Sequence, residues 1–169
     1  MSEYIRNFHR LVGSFPVVEC SALTFLTDLQ GNLLLIRAPE EPYWKLPGGA
    51  LEPDEKLIHC LQRHVMNQTG VFIENGVLLQ VFTGTEMSYI SIDNANISPV
   101  YAAFIPGNVR GTLKRNAEFP MEFRFFASWN IPMTEVFPPM LACMDYYREY
   151  FPEGIPLQPL DLDRFAKYE

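Results

Sequence analysis

Cysteine is scarce in this chain: three in 169 residues, at Cys20, Cys60 and Cys143. An odd number, far apart and without a C-x-x-C pair, supports neither a disulfide framework nor a zinc site; cysteines inside apolar runs mostly behave as small buried hydrophobes. Long apolar runs are lacking too. None approaches the ~18 residues of a membrane helix. The opening Met1-Ser2-Glu3-Tyr4-Ile5-Arg6 has no apolar leader segment. Both lacks lead to the expectation of a soluble, cytoplasmic protein with no membrane partner. Positive charge is in deficit, with 13 Lys and Arg against 20 Asp and Glu and a net charge of -7. That balance gives no footprint for a polymeric phosphate backbone, so nucleic-acid binding is not expected. A local basic pocket or a bound cation would still admit one phosphorylated small molecule. No internal repeat or low-complexity segment is found.

What is present suffices for one domain with its own core: 48% hydrophobic and 20% charged residues. Residues 1–14 carry apolar groups at helical spacing and suggest a short helical turn. Phe15–Leu26 reads as a strand, Asp28–Asn32 as a turn and Leu33–Ile36 as the return strand of a hairpin. Gly48-Gly49 then leads into a helix for which Asp54 is the expected N-cap. Leu57, Ile58, Leu61 and Val65 form its apolar stripe, and Gly70 is its C′ stop. Strands are expected at Val77–Thr83, Met87–Ile92, Val100–Ile105 and Glu122–Trp129. Polar turns fall at Asp93–Ser98 and Pro106–Asn108. A late helix begins at Pro138-Pro139, with Met140, Leu141, Met144, Tyr147 and Phe151 as its stripe. Residues 1–151 are expected to form a single domain with a core over about 15–150, followed by an extended, proline-rich tail at 152–169. Strands on both sides of a central helix, with a second helix late, indicate an α/β sandwich: a central mixed sheet between helices.

Gly49, Glu55 after five residues, Arg63 after seven more, then Val65, Gly70 and Val71, resemble the Nudix box G-x5-E-x7-R-E-U-x-E-E-x-G-U, where U is a bulky aliphatic. The lead-in Trp44-Lys45-Leu46-Pro47-Gly48-Gly49-Ala50-Leu51-Glu52 is similar to that of MutT-like members. Glu122–Phe126 followed by Asn130-Ile131-Pro132 resembles their last strand and turn. The resemblance implies the Nudix α/β/α sandwich, hydrolysis of a nucleoside diphosphate linked to another group, Mg2+ or Mn2+ as cofactor, and often a homodimer. It departs at three positions. His64, Asn67 and Gln68 stand where the family pattern has metal-binding glutamates, at i, i+3 and i+4 on one helix face. Neutral carboxamides hold hard cations weakly, and an imidazole suits softer metals than magnesium.

The resemblance assigns Gly48, Gly49, Glu55, Arg63 and Gly70 to the framework of the loop and helix. Glu52, Glu55, His64, Asn67 and Gln68 mark the metal positions. Glu118 and Glu122 are candidate bases, and Glu86 is a further acid near the site. Arg37 is a candidate phosphate contact, and Trp44, Phe82 and Tyr89 are candidates for stacking on a base. The expected function is a weakly active or inactive Nudix-type protein that binds a nucleotide-type ligand, with cofactor requirement reduced or absent. Two alternatives remain open: a working pyrophosphohydrolase using Glu52, Glu55, Glu118 and Glu122, or a structural, oligomerising module.

Overall fold

A computed structural model describes residues 3–155. Helix α1 (Glu3–Val12) is followed by β1 (Val17–Thr24), β2 (Leu33–Arg37), β3 (Gly48–Ala50) and helix α2 (Leu57–Thr69). Next come β4 (Val71–Ile73), β5 (Gly76–Phe82), β6 (Tyr89–Ile90), β7 (Asn96–Pro106), β8 (Val109–Gly111), β9 (Glu122–Phe126) and helix α3 (Leu141–Tyr150). The main sheet has the order β3-β1-β7-β5, with β6 also paired to β7. It is mixed: β1 runs parallel to β7, from Val17 opposite Ile97 to Thr24 opposite Phe104, while β3, β5 and β6 pair antiparallel.

Strand alternation explains why two cores form. Leu23, Tyr101, Ala103 and Ile105 face Cys143, Met144 and Tyr147 of α3. Their neighbours Ala22, Ala102 and Phe104 face Cys60, Leu61 and Val65 of α2. Strand β2 serves both cores, with Leu33 and Leu35 in the first and Leu34 and Ile36 in the second. Helices therefore cover opposite faces of the mixed sheet, in the expected α/β/α sandwich.

Several local expectations are corrected. Strand β2 does not pair along β1. The turn forms, with the Asp28 carboxylate accepting the Gln30 and Asn32 N–H groups at 2.9 Å, but both edges of β1 are taken by β3 and β7. Strand β2 instead pairs with β9, Leu33 opposite Phe126 and Arg37 opposite Glu122. Asp54 does not cap α2. It sits at φ 63° in the preceding turn, and the cap position is Lys56 without a side-chain bond. The segment 87–92 is mostly not strand: Met87 ends a 3-10 turn with its side chain 2% exposed, leaving only the two residues of β6. The chain then turns at Ser91–Ala95, and β7 starts at Asn96, inside the expected turn. The last strand stops at Phe126, and Ser128–Asn130 is a 3-10 turn. The start of the predicted tail is docked, with Ile155 in the α3 core and the Ser128 hydroxyl donating to Pro152 O. Residues 156–169 of that tail lie outside the described residues.

Candidate functional site

Strand β3 is an edge strand, and an edge leaves backbone groups without a ladder partner. Helix α2 covers that edge with a row of side chains four residues apart. The Cys60 thiol donates to Gly49 O at 3.3 Å. His64 Nε2 donates to Ala50 O at 2.9 Å; a carbonyl only accepts, so the ring carries its proton on Nε2. Gln68 closes a reciprocal pair with Gly48, its Nε2 donating to Gly48 O at 2.8 Å and its Oε1 accepting the Gly48 N–H at 2.9 Å. A carboxylate could accept that N–H but would face the carbonyl oxygen with no proton to offer. Two glycines allow the approach. At Gly48, φ is 135° and an added Cβ would lie 2.1 Å from Ala22 O; at Gly49 it would lie 2.5–2.7 Å from three atoms of the His64 ring. Burial, helped by the nearby Arg63 charge, lowers the His64 pKa, against the opposing pull of the Ala50 carbonyl.

Glu55 and Arg63 brace the turn that leads into α2. Arg63 Nε and Nη2 donate to the two Glu55 oxygens at 2.7 Å each, and Glu55 Oε2 also accepts the Glu52 N–H at 3.1 Å. Arg63 Nη2 reaches Ala50 O at 3.3 Å. The Arg63 hydrogen bonds hold the Glu55 carboxyl down at about 2, despite burial. His64 and Glu55 both have folded pKa values below their unfolded ones. Their contributions are thus complete above those unfolded values and vanish as pH falls toward the folded ones. Acid titration of stability should show a first loss below 6.5 that His64→Gln removes. A second loss, of roughly 2 kcal/mol after solvent screening, should run from 4.5 toward about 2 and disappear in Glu55→Gln. Urea denaturation across pH reads both.

These contacts bear on the metal that the box pattern implies. Hard cations need several carboxylate oxygens. Gln68 spends both amide atoms on Gly48, the His64 ring lies against Gly49, Asn67 is a neutral carboxamide, and Glu55 is locked to Arg63. Among the described residues, no three His, Cys, Asp or Glu side chains come together as a metal-holding group. The residues present do not fit Mg2+ or Mn2+.

Beside the row opens a cavity of about 550 Å³. Of the residues singled out in the sequence, Gly48, Gly49, Glu52, His64, Gln68 and Tyr89 line it. The others are elsewhere. Arg37 donates to Glu122 at 2.7 Å and stacks over Trp44, with its guanidinium carbon 4.4 Å from the ring centroid. Trp44 is buried, edge-on to Phe126. Phe82 packs edge-on to Tyr146. Glu118 is exposed, with its N–H on Asn116 Oδ1, and Glu86 is exposed beside Gly84. Gly70 takes the left-handed C-cap at φ 75°, as its C′ reading anticipates, and the Asn67 carbonyl accepts from Asn116 Nδ2.

The cavity also holds residues that sequence reasoning missed. Glu19 is only 5% exposed, on the face of β1 shared by Val17, Ser21 and Leu23, whereas Val18 between them is exposed. An acid at an inward position of an alternating strand was the available signal. Burial pushes the Tyr89 and Tyr101 hydroxyls above their ordinary range, and the Glu19 charge adds to both shifts. Four carboxylates (Glu19, Glu41, Glu52, Asp93) and two cations (Arg6, Lys45) line the space. Arg6 pairs with Asp93 at 3.3 Å, and Lys45 pairs with Glu41. The lining has a surplus of negative charge.

Comparison with known proteins identifies the family of the fold. A family model described as the NUDIX domain matches residues 20–143. A MutT-like protein of Streptomyces ambofaciens is 36% identical over 77 residues, 46% of this chain and 50% of that relative. The match thus spans half the length of that protein. Among solved structures, a MutT NUDIX hydrolase from Burkholderia pseudomallei superposes with a TM-score of 0.58 at 22% identity, covering 78% of this chain and 98% of the other. A UDP-X diphosphatase superposes with a TM-score of 0.55 at 16% identity, covering 87% and 70%. At such identities the structural likeness concerns the fold. The family match runs from within β1 through the loop, α2 and the sheet into α3, over most of the chain, so the chain belongs to the NUDIX domain family.

Proposed function

We propose that this chain uses the Nudix fold to bind a nucleotide-type small molecule and has little or no metal-dependent diphosphate hydrolysis. One observation carries the reading: His64 and Gln68, at two of the three positions where the box pattern has metal-binding glutamates, spend hydrogen-bond donors on the β3 carbonyls. Donors there do the holding that carboxylates would need a cation to do. The ligand class rests on relatives, among them the UDP-X diphosphatase. The cavity's volume is ample for a nucleoside.

Incubation with ADP-ribose, deoxynucleoside triphosphates and dinucleoside polyphosphates, each with Mg2+ or Mn2+, tests the catalytic half. Turnover is expected at least ~10³-fold below the ~10 s⁻¹ typical of enzymes. Cleavage of any of them at an ordinary enzymatic rate would overturn it.

A further inference from the structure

Charge and shape at the cavity go further than the family likeness. Resting on the reading that the cavity takes a nucleotide-type molecule, we infer that it selects the nucleoside end of that class, an amino-bearing base with its sugar, and rejects the phosphates.

Part of the lining is aromatic and apolar. Tyr89 and Phe137 pack edge to face with centroids 5.2 Å apart, and Leu23, Ile36, Ile90 and Met140 add hydrocarbon surface. A flat heterocycle buries well against such a surface. Among the charged side chains of the lining, carboxylates outnumber cations four to two. Glu52 brings a carboxylate, which accepts from the exocyclic amino group of a base as it does from any N–H donor. Phosphate has no comparable reception. Both lining cations, Arg6 and Lys45, are held by Asp93 and Glu41, and Arg63 is held by Glu55 outside the lining. A diphosphate would therefore enter a space of surplus negative charge, with no metal site on the neighbouring helix to offset it. Selection by repulsion discriminates as effectively as an added attraction.

Calorimetric titration of the full chain in EDTA at low ionic strength tests this, with adenosine, guanosine and cytidine each compared with its own 5′-diphosphate. At least one nucleoside should bind at least ~10-fold more tightly than its diphosphate. Raising the salt concentration should narrow that gap, because charge repulsion is screened. Glu52→Gln, which keeps the side chain's size, should narrow it as well. Diphosphates binding as tightly as nucleosides, or more tightly, would overturn the selection while leaving a nucleotide-binding protein in place. Binding of neither series would overturn the selection and the nucleotide-type reading together. An unchanged gap in Glu52→Gln and at high salt would remove the electrostatic cause on which the inference stands.

Discussion

Gly48→Ala is expected to destabilise the fold by roughly 3–4 kcal/mol, the largest effect of any single substitution in the loop. Gly48 sits at φ 135°, where side chains are strained. Its added methyl would also meet backbone: Ala22 O at 2.1 Å and Leu23 Cα at 2.8 Å. Backbone cannot swing aside, so β3 would have to leave β1, taking with it the Leu23–Gly48 pairing and the Gln68 clamp. Gly49→Ala provides the contrast, because its obstacle is the His64 ring. Its cost should be relieved in part by His64→Ala, whereas no substitution at position 64 should rescue Gly48→Ala. Urea midpoints of the single and double variants measure both.

The triple replacement His64→Glu, Asn67→Glu and Gln68→Glu is expected to make stability depend on divalent cations. Without metal it should lose roughly 3 kcal/mol. Two carboxylates would replace the donors that now reach Ala50 O and Gly48 O, and three like charges would share one helix face. With Mg2+ the face would have the oxygen ligands it now lacks. For a site with a Kd on the order of 1 mM, about 10 mM Mg2+ would return roughly 1.4 kcal/mol, a Tm rise of about 4 °C for a chain of this size. The unaltered protein should show no comparable shift. Equal shifts in the two proteins would mean that the row formed by Cys60, His64 and Gln68 is not what keeps metal away.

Much of the fold was legible in the sequence because its signals are local. The stripe of Leu61 and Val65, both fully buried, and the left-handed Gly70 follow from helix periodicity and stop chemistry. The pairing of β2 with β9 was not legible, because it depends on both edges of β1 being taken by strands distant in sequence. Strands β4 and β8, of three residues each, are too short to carry an alternating pattern. At the site, the absence of carboxylates at 64, 67 and 68 could be read directly. What replaced them could not. Side chains on α2 reach backbone atoms of a strand placed by tertiary packing, and no spacing in the sequence encodes a bond from Gln68 to Gly48, twenty residues earlier. Arg37 and Glu122 each read as available for chemistry when taken alone, and each turned out to hold the other across the β2–β9 ladder.

The Gly48-Gly49 loop and helix α2 share a defined joint: three side chains at four-residue spacing, closing on the backbone of Gly48, Gly49 and Ala50. The most direct test of that joint is a Mn2+ titration of the unaltered protein, followed by the electron paramagnetic resonance signal of the free ion. The signal should track total Mn2+ to millimolar concentrations, as with no protein present. A one-to-one loss of signal at micromolar Mn2+ that Gln68→Ala abolishes would show instead that the helix face binds metal through these residues, and the metal-free joint would be wrong.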